Sequence, residues 1–176
     1  MGQLNRTVAL VGMMGAGKSS LGRRLAAKLD APFYDADAEI EAAAGCSINE
    51  IFVRYGEPAF RDCERKVIAR LLNGPPHVLA TGGGAFIDDE IRAKIRGCAL
   101  SVWIKVPLEV LVERVKRRDT RPMLRNGDPR DIVSTLLGSR EPIYAEADLI
   151  VPGEDGPHVA GVARILAALQ ERGMLQ

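Results

Sequence analysis

The 176-residue sequence predicts an α/β fold in which a parallel sheet is covered on both faces by helices. Three observations predict it. Short runs of β-branched and other apolar residues recur along the chain, continuous rather than alternating, as in strands buried on both faces. Stretches with apolar residues at helical spacing separate them. The composition, 47% hydrophobic and 27% charged, without repeats or low-complexity tracts, is that of one globular domain spanning residues 1–176.

Thr7 to Val11 is the first expected strand, and Leu21, Leu25, Ala26 and Leu29 mark the helix after it. Pro32-Phe33-Tyr34 leads a second strand into Asp35. Ile40 to Ala44 and Ile48 to Tyr55 read as short helices separated by Gly45, the second opened by a capping box of Ser47 and Glu50. Val67, Ile68, Leu71 and Leu72 give a helix that Asn73-Gly74-Pro75-Pro76 stops. Val78 to Ala80 and Leu100 to Val106 are the third and fourth strands, with Trp103 in the core. Pro107 then opens a helix that buries Leu108, Leu111, Val112 and Val115. Lys116 to Pro129 is polar and basic and reads as a loop. A helix over about 129–145, a strand at Leu149 to Val151 and a helix burying Val159, Val162, Ile165, Leu166 and Leu169 complete the pattern.

The net charge of +1, from 24 basic and 23 acidic residues, offers no global attraction for nucleic acid or anionic lipid. No apolar run approaches the roughly 18 residues of a membrane span. The segment MGQLNRT lacks a signal-peptide core, and Arg6 stands where a myristoylation signal needs Ser or Thr. Cys46, Cys63 and Cys98 are scattered, which argues against a disulfide framework or a zinc site. A cytoplasmic monomer without nucleic-acid or membrane partners is therefore expected. Cys63 is expected to be partly buried, and His77 and His158 suggest no role.

Gly12 to Ser19 reads GMMGAGKS, satisfying GxxxxGK[ST] between a strand and a helix. Gly12, Gly15 and Gly17 let the backbone curl with its N–H groups inward around a polyphosphate. The following helix adds the positive end of its dipole. Lys18 supplies charge for the β- and γ-phosphates, and the Ser19 hydroxyl is a hard oxygen suited to Mg²⁺. A nucleotide therefore contacts Gly15, Ala16, Gly17, Lys18, Ser19 and Ser20. The motif does not choose between kinase, GTPase, motor and transporter.

Asp35 and Asp37 follow the second strand, where ligands of open α/β sheets bind. One can serve the Mg²⁺ shell and the other a substrate hydroxyl; the alternative is a helix cap, supplied by Asp37. Thr81 precedes Gly82-Gly83-Gly84, where either a close ligand or a sharp turn calls for bare backbone. Arg61 and Arg140 are either solvated helix arginines or, in one cleft, a carboxylate clamp. The basic stretch Lys116 to Pro122 is a solvated loop, a nucleic-acid patch without interleaved aromatics, or a mobile lid that carries an arginine to the γ-phosphate.

The stretches GMMGAGKSSLGRRLA, FYDADAEIE, SINEIFVRYGEPAFRDCE, TGGGA, RPML and SREPIYAEAD, in this order, resemble shikimate kinase over nearly the whole chain. The resemblance implies a three-layer P-loop kinase fold, with a central parallel sheet of about five strands, a lid at about 116–128 and substrate-binding helices at about 37–62. It implies transfer of the ATP γ-phosphoryl group to the 3-hydroxyl of shikimate, toward chorismate and the aromatic amino acids. It places Asp37 on the substrate hydroxyls as candidate base, Asp35 near Mg²⁺, and Arg61 and Arg140 on the carboxylate. Gly82 and Gly83 fall at the substrate, and Lys18 and Arg121 at the migrating phosphoryl group. Arg117 and Arg118, with loop 152–157, are open candidates for the adenine. Another small-molecule kinase of this fold, such as a gluconate kinase, and a nucleotide-holding switch without turnover are the rival readings. The switch leaves Asp37, Arg61 and Arg140 unexplained.

Overall fold

The computed structural model describes residues 2–117, 127–153 and 158–176. Among these, five strands form one sheet in the order β2-β3-β1-β4-β5. They are β1 (Thr7–Val11), β2 (Phe33–Asp35), β3 (Val78–Ala80), β4 (Ala99–Lys105) and β5 (Leu149–Pro152). Every pairing is parallel: β1 lies between β3, with Val8 beside Val78, and β4, with Val11 beside Trp103. All of β1 is buried, so its continuous apolar run matches a strand covered on both faces.

The helices are α1 (Lys18–Leu29), α2 (Ala36–Ala44), α3 (Ile48–Tyr55), α4 (Glu57–Leu72), α5 (Asp89–Cys98), α6 (Leu108–Arg117), α7 (Pro129–Tyr144) and α8 (Val159–Glu171). Each buries one apolar stripe, Leu21, Leu25 and Leu29 in α1 and Val162, Ile165 and Leu169 in α8. Ser47 accepts the Glu50 N–H at 3.1 Å and opens α3 as expected. Trp103 is core and Cys63 partly buried.

Two expectations change. Helix α5 carries no sequence signal beyond Ile91 and Ile95, yet both are buried, and Asp88 caps it by accepting the Glu90 and Ile91 N–H groups. Lys116 and Arg117 belong to α6 rather than to a loop, because Leu111, Val112 and Val115 keep that helix packed through its last turn. His77 is buried, its Nδ1 2.9 Å from the Pro75 carbonyl. Residues 118–126, the body of the expected lid, lie outside the described residues.

The topology places the site. Strands β2, β3 and β1 are adjacent and parallel, so the segments leaving their carboxyl ends open at the same end of the sheet. Those segments are Asp35–Asp37, Thr81–Gly84 and Gly12–Ser19.

Candidate active site

The phosphate loop has the curl that its glycines allow. Gly12, Gly15 and Gly17 have φ of 141°, 78° and 88°, a region costly for other residues. Gly17 caps α1, so the loop N–H groups lie at the positive end of a twelve-residue helix. The buried Lys18 ammonium donates to the Gly12 and Met13 carbonyls at 2.6 and 2.8 Å, which holds its charge at the loop. A cleft of about 560 Å³ opens there, lined by Gly15 to Ser20, Asp35, Asp37 and Gly82.

Arg23, Thr81, Arg114, Arg117 and His158 line this cleft as well. Arg114 donates from Nη1 to the Gly15 carbonyl at 3.0 Å. The His158 ring packs on Gly17, where a Cβ would lie 3.0 Å from Cε1. Burial, with Arg24 and Arg114 nearby, holds the imidazole below its usual pKa and so favours its neutral form at neutral pH.

Asp35 joins two segments. Its Oδ2 accepts the Ser19 hydroxyl at 2.5 Å, while Oδ1 accepts the Asp37 and Ala38 N–H groups at 3.0 and 3.3 Å. Asp35, not Asp37, is thus the cap of α2: its extended backbone (φ −99°) precedes the first helical turn. Asp37, in the first turn, lies toward Gly82, whose Cβ would stand 2.9 Å from Oδ1.

The triple glycine is explained by crowding. None of Gly82, Gly83 and Gly84 has positive φ, so no turn demands them. A Cβ on Gly82 would meet Asp37 Oδ1 at 2.9 Å and Glu64 Oε2 at 3.2 Å. One on Gly83 would meet the Met14 nitrogen of the phosphate loop at 3.2 Å, with Arg140 Nη1 in ordinary contact at 3.5 Å, and one on Gly84 would meet the Arg61 guanidinium at 2.5 Å. Bare backbone thus lets Asp37, Glu64 and Arg61 converge on this segment and seats Gly83 against the phosphate loop, beside Arg140. Thr81 anchors the segment by donating its hydroxyl to the Leu10 carbonyl at 2.8 Å. Arg61 and Arg140 are therefore not solvated helix arginines: Arg140 is buried, and the Arg61 side chain is 17% exposed.

Arg61 is oriented by its own helix. Nη1 meets Glu64 Oε1 at 2.9 Å and Nη2 meets Glu57 Oε1 at 3.4 Å, three and four residues away on α4. Glu64 is fully buried, and its Oε2 has no hydrogen-bond partner among the described residues. Burial raises its pKa, Arg61 opposes the rise, and Asp37 and Asp88 add to it.

The shikimate kinase family model matches residues 14–170. The chain belongs to the shikimate kinase family. It is 56% identical to a shikimate kinase of Paramagnetospirillum magneticum over 96% of this chain and 86% of that one. It is 57% identical to one of Caulobacter vibrioides over 94% and 83%. A shikimate kinase of Acinetobacter baumannii, solved in complex with shikimate, superposes with a TM-score of 0.91 at 34% identity, covering 95% of this chain and 94% of that one. A gluconokinase of Sinorhizobium meliloti, at 21% identity and TM-score 0.58, covering 97% and 98%, shares the fold. Membership makes this chain an ATP-dependent kinase acting on shikimate.

The structure brings together the expected site residues Gly15, Ala16, Gly17, Lys18, Ser19, Ser20, Asp35, Asp37, Arg61, Gly82, Gly83 and Arg140 beyond the carboxyl ends of β1, β2 and β3. Arg121 and Arg118 lie outside the described residues. Of the adenine candidates, Arg117 lines the cleft, joined there by Arg114, while residues 154–157 of the third, loop 152–157, lie outside the described residues. The sequence pointed to no role for Glu64, Arg114 or His158. Glu64 had a usable signal, standing three residues after Arg61 on one helix. His158 had none, because only the β5-to-α8 connection brings it to Gly17.

Proposed function

We propose that these residues transfer the γ-phosphoryl group of ATP to the 3-hydroxyl of shikimate, giving shikimate 3-phosphate and ADP. The observation that carries the assignment is the packing of Gly82–Gly84 against Asp37, Glu64, Arg140 and Arg61, beside the phosphate loop. A pocket with paired guanidiniums and an adjacent carboxylate suits a small acid that also carries hydroxyls.

Arg61 and Arg140 bind the shikimate carboxylate and so fix the ring; this is catalysis by positioning. Asp37 accepts a hydrogen bond from the attacking hydroxyl and takes its proton as the oxygen–phosphorus bond forms and ADP departs. Lys18 and the loop N–H groups balance the charge on the phosphate oxygens, and we assign Arg121 to the same task. Ser19 and Asp35 fit Mg²⁺: a hydroxyl and a carboxylate oxygen 2.5 Å apart are the hard donors that it takes alongside phosphates. Bound there, Mg²⁺ would supply charge neutralisation on the phosphates. Every residue assigned comes from one chain, so a monomer suffices. No helix among the described residues is long and apolar enough to cross a membrane, and the three cysteines are free, as a reducing cytoplasm would keep them.

The test is ADP release with and without shikimate, repeated with Asp37→Asn and Arg61→Lys. Asp37→Asn is expected to lower kcat by roughly 100-fold or more, as loss of a general base does. Arg61→Lys is expected to raise KM for shikimate and leave KM for ATP within twofold. Absence of shikimate-dependent ADP release, or an equal loss of both substrates in Arg61→Lys, would refute the assignment.

A further inference from the structure

We infer that Tyr144 is a positioning residue for the transfer: its hydroxyl holds the Gly83 carbonyl, and its ring joins the shikimate pocket to the phosphate loop through Trp103. Tyr144 ends α7, one turn after Arg140 and on the same face. It is fully buried, and its hydroxyl donates to the Gly83 carbonyl at 2.5 Å. Arg140 Nη1 donates to the same oxygen at 3.3 Å. A phenylalanine would fill the core here without a polar group to satisfy, so the hydroxyl calls for a further role.

The ring makes the second connection. It lies tilted at 30° to Trp103, with centroids 5.7 Å apart. Trp103 Cδ1 lies 3.3 Å from where a Cβ on Gly12 would stand, at the start of the phosphate loop. The circuit closes directly, since a Cβ on Gly83 would lie 3.2 Å from the Met14 nitrogen. Gly12, Trp103, Tyr144, Gly83 and Met14 thus form one chain of close neighbours, with the Tyr144 hydrogen bond and ring contact at its centre. Interiors packed this closely pass small displacements onward rather than absorbing them. A shift of Gly83 on shikimate binding therefore reaches the phosphate loop, and the converse holds by linkage. The inference rests on the proposed placement of Gly83 in the shikimate pocket.

The experiment uses the full chain with Tyr144→Phe and, beside it, Arg140→Lys. Removing one hydrogen bond to the Gly83 carbonyl is expected to raise KM for shikimate about three- to tenfold. KM for ATP at saturating shikimate should change less. Calorimetry should show a smaller gain in shikimate affinity on adding ADP than in the unaltered kinase. Trp103, the sole tryptophan, should change its emission on shikimate binding, and less so in Tyr144→Phe. A purely structural tyrosine would lower Tm and leave KM, coupling and emission response unchanged; that result overturns the inference. If Arg140→Lys raises KM for shikimate while Tyr144→Phe does not, the inference alone fails. If neither variant moves it, the pocket assignment fails and the inference with it. Should Tyr144→Phe not fold, the unaltered kinase decides: constant Trp103 emission under saturating shikimate overturns the inference.

Discussion

Gly84→Ala separates the fold from the site. Gly84 has φ −97° and ψ −4°, which any residue adopts, so an added methyl strains no backbone. It would instead stand 2.5 Å from Arg61 Nη2, 2.6 Å from Nη1 and 2.8 Å from Cζ. Ordinary contact begins near about 3.5 Å, so the guanidinium must withdraw by about 1 Å. It is the end of a flexible side chain, and the fold can accommodate that movement. The proposed function cannot, because the displaced group is the one that binds the carboxylate and already holds Glu64 at 2.9 Å. A hydrogen bond to a charged group contributes about 1.5–3 kcal/mol. Losing one predicts a rise in KM for shikimate of roughly ten- to a hundredfold. Coupled ADP-release kinetics at varied shikimate would measure it, with KM for ATP expected within twofold and Tm nearly unchanged. An unchanged KM for shikimate would show that Arg61 does not grip the acceptor.

Two other variants address electrostatics. Asp35→Asn keeps a good helix cap for α2 but removes the charge beside Ser19, so the Mg²⁺ concentration for half-maximal activity should rise severalfold with Tm almost unchanged; a fall in Tm without a shift in Mg²⁺ dependence would make Asp35 structural only. Glu64 titrates above its ordinary 4.5 in the folded chain, chiefly through burial, so its contribution to stability is full below that value and is lost as pH rises through the folded pKa. Glu64→Gln, which stays neutral, should therefore gain in Tm relative to the unaltered kinase as pH rises; a difference independent of pH contradicts the raised pKa.

The sequence carried the sheet and the phosphate loop well, for physical reasons. A buried parallel strand must be apolar throughout, and the loop's chemistry lies in one contiguous run from Gly12 to Ser19. The triple glycine was legible only as a need for bare backbone. Whether a turn or a close contact imposed it depended on φ and on side chains arriving from α2, α4 and α7. The role of Asp35 as cap was similarly hidden, since Asp35 and Asp37 differ only in which begins the helix. Helix α5 escaped notice because its exposed face is charged and its buried face is two isoleucines. Arg114 and His158 reach the cleft from elements distant in sequence, and no local pattern marks them.

Charge balance shows why Glu64 stands where it does. The chain is nearly neutral overall, so the attraction for two anionic substrates must be built locally. Around Gly82–Gly84 the cations are Arg61 and Arg140, and the acids are Asp37 and Glu64, with Asp88 near enough to act on Glu64. In the proposed function, shikimate adds a third carboxylate beside Arg61. That charge competes for the guanidinium and repels Glu64, whose unpartnered Oε2 is already shielded from water. Both effects push the Glu64 pKa further up, so shikimate binding and protonation of Glu64 favour one another. Binding should therefore take up a fraction of a proton just above the range in which Glu64 titrates. Calorimetry in buffers of different ionisation enthalpy would measure it, and Glu64→Gln should abolish it. Equal binding enthalpies in all buffers would mean that Glu64 keeps one protonation state throughout and that Arg61 alone carries the charge of the acceptor.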